Sequence, residues 1–131
     1  MSDVEKNKAL VLEYLDAFRT WDPAQYERYL TEHPVYQVGM TVHDGRAGFA
    51  DVARFGSVLY PNGLTNTFRN VIGEGDSVAI LMTVEAVTNS GADYRNIYGV
   101  VFDLEDGLIA RQTEVLDFRV SGDKFDLSAL A

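Results

Sequence analysis

The sequence predicts one α+β domain, because helical and strand patterns occupy separate parts of the chain. In the first half, apolar residues recur every three or four positions, as on one face of a helix. In the second half, apolar and polar residues alternate, and turns that contain glycine separate the alternating runs. Helices followed by strands favour α+β over alternating βαβ units. The length of 131 residues suits one domain, spanning 1–131, with one core.

The composition argues against several classes of function. The net charge is −9, and the 11 basic residues form no cluster, so we expect neither nucleic acid nor an anionic membrane as a partner. Cysteine is absent, which excludes disulfides, thiolate catalysis and zinc–sulfur sites, and two histidines are too few for a histidine-based metal site. We therefore expect no metal and no cofactor. No apolar run approaches the roughly 18 residues of a membrane span, and a polar, acidic N-terminus is unlike a secretory signal, so a cytoplasmic protein is expected.

Two helices are expected at the start of the chain. The first should end near Thr20. The second should begin with Asp22 as N-cap and Pro23 in the first helical position, and should stop before Pro34. The apolar face of the first helix contains Leu10, Val11, Tyr14, Leu15 and Phe18.

After the second helix we expect a short strand over 35–38, a turn over 43–48 and a third helix over about 48–60. An antiparallel sheet should follow, and the tail from Ser121 should be loosely attached. The expected strands of this sheet cover 64–73, 77–87, 94–104 and 108–118.

Three polar residues interrupt the apolar face of the last expected hairpin: Asn96, Gln112 and Glu114. A lone carboxylate on such a face costs several kcal/mol unless it is paired, protonated or beside water. Either the strand is an edge from which Glu114 reaches solvent, or the helices leave part of a curved sheet uncovered and the three residues line a cavity. The sequence favours the cavity. Period-two alternation assigns to this face Tyr94, Asn96, Tyr98, Val100, Phe102 and Leu104, then Leu108, Ala110, Gln112, Glu114, Leu116 and Phe118.

The pattern G-x-x-Y-x-N-x-Y-x-x-V-F-x-x-x-D-G-x-I-x-x-x-x-E-x-x-D over 91–117, with the segments LEYLDAF and WDPAQYERYL, resembles SnoaL-like proteins of the nuclear transport factor 2-like superfamily. The resemblance implies a cone-shaped α+β barrel: a curved, mixed, mostly antiparallel sheet wrapped around N-terminal helices, with a pocket for a small molecule. It also implies a homodimer through the sheet. Members include polyketide cyclases, ketosteroid isomerases, epoxide hydrolases, phenazine-biosynthesis proteins and non-catalytic association domains.

The catalytic residues of ketosteroid isomerases are only partly present in this sequence. Tyr14 matches their helix tyrosine, which donates to the substrate oxyanion, but Val38 and Val100 stand where they have two catalytic aspartates. Limonene-type epoxide hydrolases use an Asp–Arg–Asp set; here the Arg-x-Asp of the neighbouring strand is missing, and Arg95 faces the other way. Neither reaction is therefore expected from the resemblance.

Phenazine-biosynthesis proteins match the hairpin pattern best. Glu114 falls at their acid/base glutamate and Asn96 at their asparagine. We therefore expect cofactor-independent acid/base chemistry on an oxygenated, apolar, polyketide-like substrate: isomerisation, aldol-type cyclisation or dehydration. Glu114, Tyr14 and Asn96 are the expected catalytic residues. The expected substrate-binding residues are Gln112, Tyr98, Val38, Val100, Phe18, Phe102 and Leu116.

A non-catalytic ligand-binding or association module with the same pocket is the alternative. The two readings predict different pockets. A bound ligand whose acidic C–H or leaving oxygen lies within hydrogen-bond reach of Glu114 would favour an enzyme. A pocket filled by the side chains of Tyr14, Phe18 and Phe102 favours a module.

Overall fold

A computed structural model describes residues 2–131 and confirms the α+β class. Four α-helices and a six-stranded sheet lie within these residues, and none of the helices is long and apolar enough to cross a membrane. The elements are α1 Asp3–Phe18, α2 Pro23–Tyr26, β1 Leu30–Val38, β2 Thr41–Asp44, α3 Gly45–Leu59, β3 Thr65–Glu74, β4 Ser77–Val87, β5 Asp93–Glu105, β6 Leu108–Leu116 and α4 Phe118–Ser121, with 3₁₀ turns at Glu27–Tyr29 and Leu127–Leu130.

The sheet is mixed and open, with strand order β2-β1-β6-β5-β4-β3. All neighbouring strands are antiparallel except β1 and β6, which are parallel. Helix α1 contacts β3, β4 and β6, whereas α3 contacts β1 and β2. Side chains of β4 and β5 alternate between buried and accessible, as the period-two prediction requires for β5. The core therefore lies between the helices and one face of the sheet.

Helix α1 follows its sequence pattern closely. Ser2 caps it by accepting a hydrogen bond from the backbone N–H of Glu5 (3.2 Å), and its last helical residue, Phe18, lies two positions before the predicted end. Its buried residues are Asn7, Val11, Tyr14, Leu15 and Phe18, which share one face.

The prediction that the second helix extends almost to Pro34 is wrong. Asp22 caps α2 as predicted, by accepting from Ala24 N–H (3.0 Å), but the α-helix ends at Tyr26 and a single 3₁₀ turn follows. Strand β1 begins at Leu30, because Leu30 pairs with Ile109 of β6. Pro34 lies within the register shift between Leu30 and Val35, where no regular ladder bond is needed from its missing N–H.

Residues 43–48 are not a simple turn. His43 and Asp44 end β2, which pairs antiparallel with β1 and has no separate counterpart in the predicted elements. Helix α3 starts directly afterwards, at Gly45, three residues earlier than predicted. The helix packs so closely on β2 that a Cβ at Gly48 would lie 2.4 Å from the carbonyl carbon of His43. Glycine at position 48 is therefore a packing requirement.

A β-bulge in β6 overturns part of the predicted alternation. Asp103 pairs with Arg111 but Leu104 pairs with Ile109, so Ala110 is an extra residue in β6. Because one inserted residue reverses the faces, Ile109 is fully buried, whereas Leu108 and Ala110 are only partly buried. The predicted inward positions of Leu108 and Ala110 are thus wrong. Beyond the strand, Phe118 is exposed at the start of α4.

The tail is attached to the domain, contrary to expectation. The Asn89 side chain donates to the Asp126 carbonyl (2.9 Å) and accepts from the Asp126 N–H (2.8 Å). Phe125 packs against Tyr60 and Tyr94, with ring centroids 5.5 and 5.1 Å apart. Phe125 is thus an apolar anchor for a segment whose polar residues suggested a loose tail.

The outer face of the sheet carries an exposed apolar patch. Ile97, Val101 and Val115 surround Gly99, which pairs with Val115 across β5 and β6. All three side chains are more than 40% exposed. Contiguous exposed apolar surface of this kind favours association with another protein surface.

We expect this patch to form the homodimer contact implied by the resemblance. Val115→Glu places a charge in the patch and should convert a dimer to a monomer, as measured by size-exclusion chromatography with light scattering. Leu127→Glu, at an exposed apolar position in the tail, is the matched control and should leave the mass unchanged. A monomeric unsubstituted protein at micromolar concentration would contradict the expectation.

Candidate active site

A cavity of about 200 Å³ opens between the end of α1, α3 and the inner face of the sheet. This is far more than one water molecule needs, so the cavity can admit a small ligand. Its apolar wall includes Phe18, Trp21, Val52, Phe55, Met82 and Val84. Its polar lining includes Arg19, Tyr36, Asn66, Tyr98, Gln112 and Glu114.

Glu114 lies on β6 opposite Val38 of β1. The Tyr36 hydroxyl, two residues earlier on β1, donates a hydrogen bond to Glu114 Oε2 (2.9 Å). Protein atoms surround the carboxyl group, yet the residue is only half-buried because it opens on the cavity. Burial raises the pKa of Glu114 to about 7, while hydrogen bonding from Tyr36 and Gln112 favours the charged form and opposes the rise. The carboxyl group can therefore both accept and release a proton near neutral pH.

Gln112 is oriented from behind by Tyr14. The Tyr14 hydroxyl donates to Gln112 Oε1 at 2.5 Å, and both side chains are almost completely buried. Burial, followed by the charge of Glu114, raises the pKa of Tyr14 well above its usual value, so the phenol remains a donor. Because its carbonyl oxygen accepts from Tyr14, the NH₂ group of Gln112 can donate hydrogen bonds to Glu114 and to a ligand in the cavity. Tyr14 itself does not line the cavity.

Tyr98 connects the cavity to the rest of β5. Its hydroxyl shares a hydrogen bond of 3.0 Å with the Tyr94 hydroxyl, and burial raises the Tyr98 pKa far above its usual value. Tyr94 in turn accepts from Asn96 Nδ2 (2.8 Å). Asn96 also donates to the Asp117 carbonyl (3.0 Å) and to Ser121 Oγ (3.3 Å). Asn96 thus lies outside the cavity lining and joins β5 to the segment that follows β6.

The structure brings four of the residues predicted for the site to one cavity: Phe18, Tyr98, Gln112 and Glu114. Val100 and Phe102 are fully buried in the core instead, and Phe102 packs edge-on against Tyr14 with centroids 5.9 Å apart. Val38 and Leu116 are partly buried and pack against that core. These four apolar residues support the site from outside its lining. Phe18 forms part of the wall and neither Tyr14 nor Phe102 lines the cavity, so these three side chains do not fill it.

Sequence reasoning missed Tyr36, the hydrogen-bond partner of Glu114. Alternation within 35–38 places Tyr36 and Val38 on one face, and this was the available signal. What the sequence could not supply was the parallel pairing of β1 with β6, in which Tyr36 lies beside Gln112.

Trp21 forms a strained part of the wall. Its φ of 61° lies in the left-handed region, which is unfavourable for a bulky residue. Its ring stacks on Tyr60 (centroids 6.1 Å apart) and lies so close to Gly56 that a Cβ there would be 2.4 Å from Cζ3. No local sequence signal indicates this conformation.

A family model for the SnoaL-like domain matches residues 11–112 of this chain, which is most of its length. The chain belongs to the SnoaL-like family. Tyr14, Tyr36 and Gln112 lie within the matched residues, whereas Glu114 lies just beyond them. No curated protein matches the chain significantly by sequence.

Solved structures of SnoaL-like and related proteins are similar to this one. A candidate ketosteroid isomerase from Kribbella flavida is 25% identical, with a TM-score of 0.69 over 88% of this chain and 81% of that one. A candidate SnoaL-like polyketide cyclase from Jannaschia is 18% identical (TM-score 0.78; 95% and 94% covered), and a candidate hydroxylase from Streptomyces galilaeus is 20% identical (TM-score 0.77; 97% and 85%). The last two show a shared fold and fit the expected cone-shaped architecture.

The raised pKa of Glu114 should make the unfolding free energy depend on pH. Because its pKa is higher in the folded state than in the unfolded state, the folded protein binds more protons between about pH 4.5 and 7. The unfolding free energy should therefore fall as pH rises through this window, by at most about 3 kcal/mol relative to Glu114→Gln. Urea unfolding of both proteins at about pH 5 and about pH 8 measures this difference. Parallel pH dependences would show that Glu114 is solvated.

The position of Asn96 makes a second prediction. Asn96→Ala removes the donor shared by Tyr94, Asp117 and Ser121, so it should destabilise the fold by about 2 kcal/mol and speed amide hydrogen exchange over 117–131. Ligand affinity in the cavity should change little. If Asn96→Ala lowers catalysis without faster amide hydrogen exchange over 117–131, Asn96 has a direct catalytic role instead.

Proposed function

We propose that this SnoaL-like protein is an enzyme that moves protons on a small oxygenated substrate, with Glu114 as the acid/base. The observation that carries the proposal is a carboxyl group at the wall of an open, largely apolar cavity, with a pKa of about 7. A group of this pKa is divided between acid and base at neutral pH. It can therefore serve in both halves of a proton transfer.

The reaction starts with Glu114 as a carboxylate. It takes a proton from a carbon next to a carbonyl group, and the C–H electron pair moves to form an enolate. The negative charge develops on the carbonyl oxygen, where a donor stabilises it more than it stabilised the ketone. Gln112 NH₂ and the Tyr98 hydroxyl are donors in the same cavity lining.

The protonated Glu114 then completes one of three reactions. Return of the proton to a different carbon gives isomerisation. Donation to a leaving hydroxyl expels water and gives dehydration. Attack of the enolate on a second carbonyl, with the proton passing to the new alkoxide, gives aldol-type cyclisation. Each route restores the carboxylate.

Two tyrosines act as positioning residues in this scheme. Tyr36 holds Oε2 of Glu114, which leaves Oε1 for the substrate, and its donated proton limits the rise of the Glu114 pKa. Tyr14 holds Oε1 of Gln112 and so turns the amide NH₂ toward the site of the developing charge. The predicted direct role of Tyr14 as oxyanion donor is replaced by an indirect one, because its hydroxyl is already used.

The enclosed part of the cavity suits about one or two rings. A volume of about 200 Å³ is below the ~300–1,000 Å³ of typical ligand pockets, so a larger substrate would extend through the opening into solvent. The aromatic walls favour a flat, apolar ring system, while the oxygen atoms of the substrate meet the few polar groups.

A non-catalytic ligand-binding module is the second candidate function. The observation that favours it is that Glu114 is the single carboxyl group in the cavity lining described for residues 2–131. A binding module needs no second acid/base. It would retain ligand affinity in Glu114→Gln and show no turnover in either form.

Exchange of the acidic C–H protons of 2-indanone with D₂O, followed by proton NMR, tests the enzyme directly. The unsubstituted protein should accelerate exchange, with a pH–rate midpoint near 7. Glu114→Gln should lower the protein-catalysed rate at least about 100-fold. Glu105→Gln, which removes an exposed carboxylate at the β5–β6 turn, is the matched control. Exchange that survives in Glu114→Gln would reject the proposed acid/base.

Tyr36→Phe separates positioning from simple loss of structure. Removing this donor destabilises the carboxylate form, so the pKa of Glu114 should rise and the pH–rate midpoint should move to higher pH. General loosening of the site lowers the rate without moving the midpoint in that direction. An unchanged midpoint would show that Tyr36 does not tune Glu114.

A further inference from the structure

Arg19 and Asn66 mark the mouth of the cavity. Both line the cavity and also an adjoining surface groove, whose other lining residues are Leu12, Glu13, Asp16 and Phe68. Arg19 follows the last residue of α1, and Asn66 lies near the start of the edge strand β3. A ligand that extends from the cavity toward solvent through this opening passes between these two side chains.

Arg19 supplies the positive charge at this opening. It is the one basic side chain in the cavity lining described for residues 2–131. Its Nη2 lies 2.8 Å from Asp16 Oδ1, but both side chains are well exposed, at 43% and 74%. Such a surface ion pair contributes little, so Arg19 can leave Asp16 and pair with the carboxylate of a ligand. The guanidinium fork matches a carboxylate in two parallel hydrogen bonds.

Asn66 has hydrogen-bonding capacity that the protein does not use. Its Oδ1 is buried and has no hydrogen-bond partner among residues 2–131. An unpaired amide oxygen is unfavourable, and here no bond holds it in place. The NH₂ group is the accessible end of the amide, so it can donate to a ligand oxygen at the mouth.

The charge distribution selects one orientation for an acidic ligand. Glu114 carries a negative charge above its pKa of about 7, and this charge disfavours a second carboxylate beside it in the cavity. At the mouth, Arg19 attracts a ligand carboxylate, whereas Glu13 and Asp16 of the adjoining groove oppose it. An acid therefore binds with its ring among Phe18 and Trp21 and its carboxylate outward.

We propose that the mouth is a carboxylate-binding subsite, in which Arg19 and Asn66 hold the acid group of a small cyclic carboxylic acid. The inference rests on the proposed function only in calling this ligand a substrate. The acid group fixes the end of the ring that faces solvent, and the opposite end is then presented to Glu114. Arg19 and Asn66 are thus substrate-specificity residues of the same site.

Binding of benzoate and of its neutral isostere benzamide tests the subsite, with affinities measured by ¹H–¹⁵N NMR titration. The unsubstituted protein should bind benzoate at least about fivefold more tightly than benzamide. Added salt should weaken the binding of benzoate and leave the binding of benzamide unchanged. Arg19→Gln should abolish the preference, and Asn66→Leu should reduce it about twofold. Arg69→Gln, which removes the same charge from an exposed position on β3, should keep it.

Three outcomes would overturn the subsite: no benzoate binding at millimolar concentration, equal affinity for the two ligands, or a preference that survives Arg19→Gln. The measurements in unsubstituted protein do not depend on whether a variant folds. Repeating them in Glu114→Gln separates the two proposals. The benzoate preference should persist there while 2-indanone exchange is lost. If Glu114→Gln still accelerates 2-indanone exchange, only the acid/base role of Glu114 is refuted. If the preference for benzoate is lost in Glu114→Gln but kept in Arg19→Gln, the subsite is refuted.

Discussion

The parallel pairing of β1 with β6 is the contact on which the candidate site depends. It joins the first strand of the chain to the last, at a register that places Tyr36 beside Gln112 and Val38 beside Glu114. Without this pairing the Tyr36 hydroxyl and the Glu114 carboxyl group would have no reason to meet. The same pairing starts β1 at Leu30, shortens the preceding helix and leaves β2 as the sheet edge. Local sequence preference gives way here to a long-range contact.

Glu114 illustrates how opposing effects tune a carboxyl group. Burial alone favours the neutral form, whereas the hydrogen bonds from its neighbours favour the charged form. The cavity supplies a third influence, because water that enters it lessens desolvation. The group consequently lies between a neutral core residue and an ordinary surface glutamate. A ligand that displaces this water would shift the proton equilibrium further toward the acid, so occupancy and protonation are coupled.

Much of the fold could be predicted from sequence because its signals are local. The apolar face of α1, the capping of α2, the existence of α3 and the inward face of β5 all follow from spacing that neighbouring residues determine. The single-residue bulge at Ala110 could not be predicted, since nothing in the segment LIARQ (108–112) distinguishes a bulged strand from a regular one. Nor could the parallel pairing, which depends on residues far apart in the chain.

The candidate site was partly predictable for the same reason. Alternation correctly placed Asn96, Gln112 and Glu114 on the inward face. It could not show which part of that face remains uncovered. Gln112 and Glu114 meet the cavity, whereas Asn96 meets the segment after β6, whose attachment was not expected. Arg19, Trp21 and Asn66 were not predicted to line the site, because they lie outside the hairpin and reach the cavity only through tertiary packing.

The left-handed backbone at Trp21 bears on how readily this cavity could change during evolution. A non-glycine residue there carries a conformational penalty of about 1–2 kcal/mol, which the stacking on Tyr60 and the fit against Gly56 offset. Replacement by glycine removes that penalty together with the indole, so the lost packing is partly compensated. A lineage can therefore acquire a roomier cavity at this position more easily than at Phe18, whose loss brings no such relief. The range of ligands that fit the cavity can therefore broaden through residue 21 while the contacts of Glu114 are left intact.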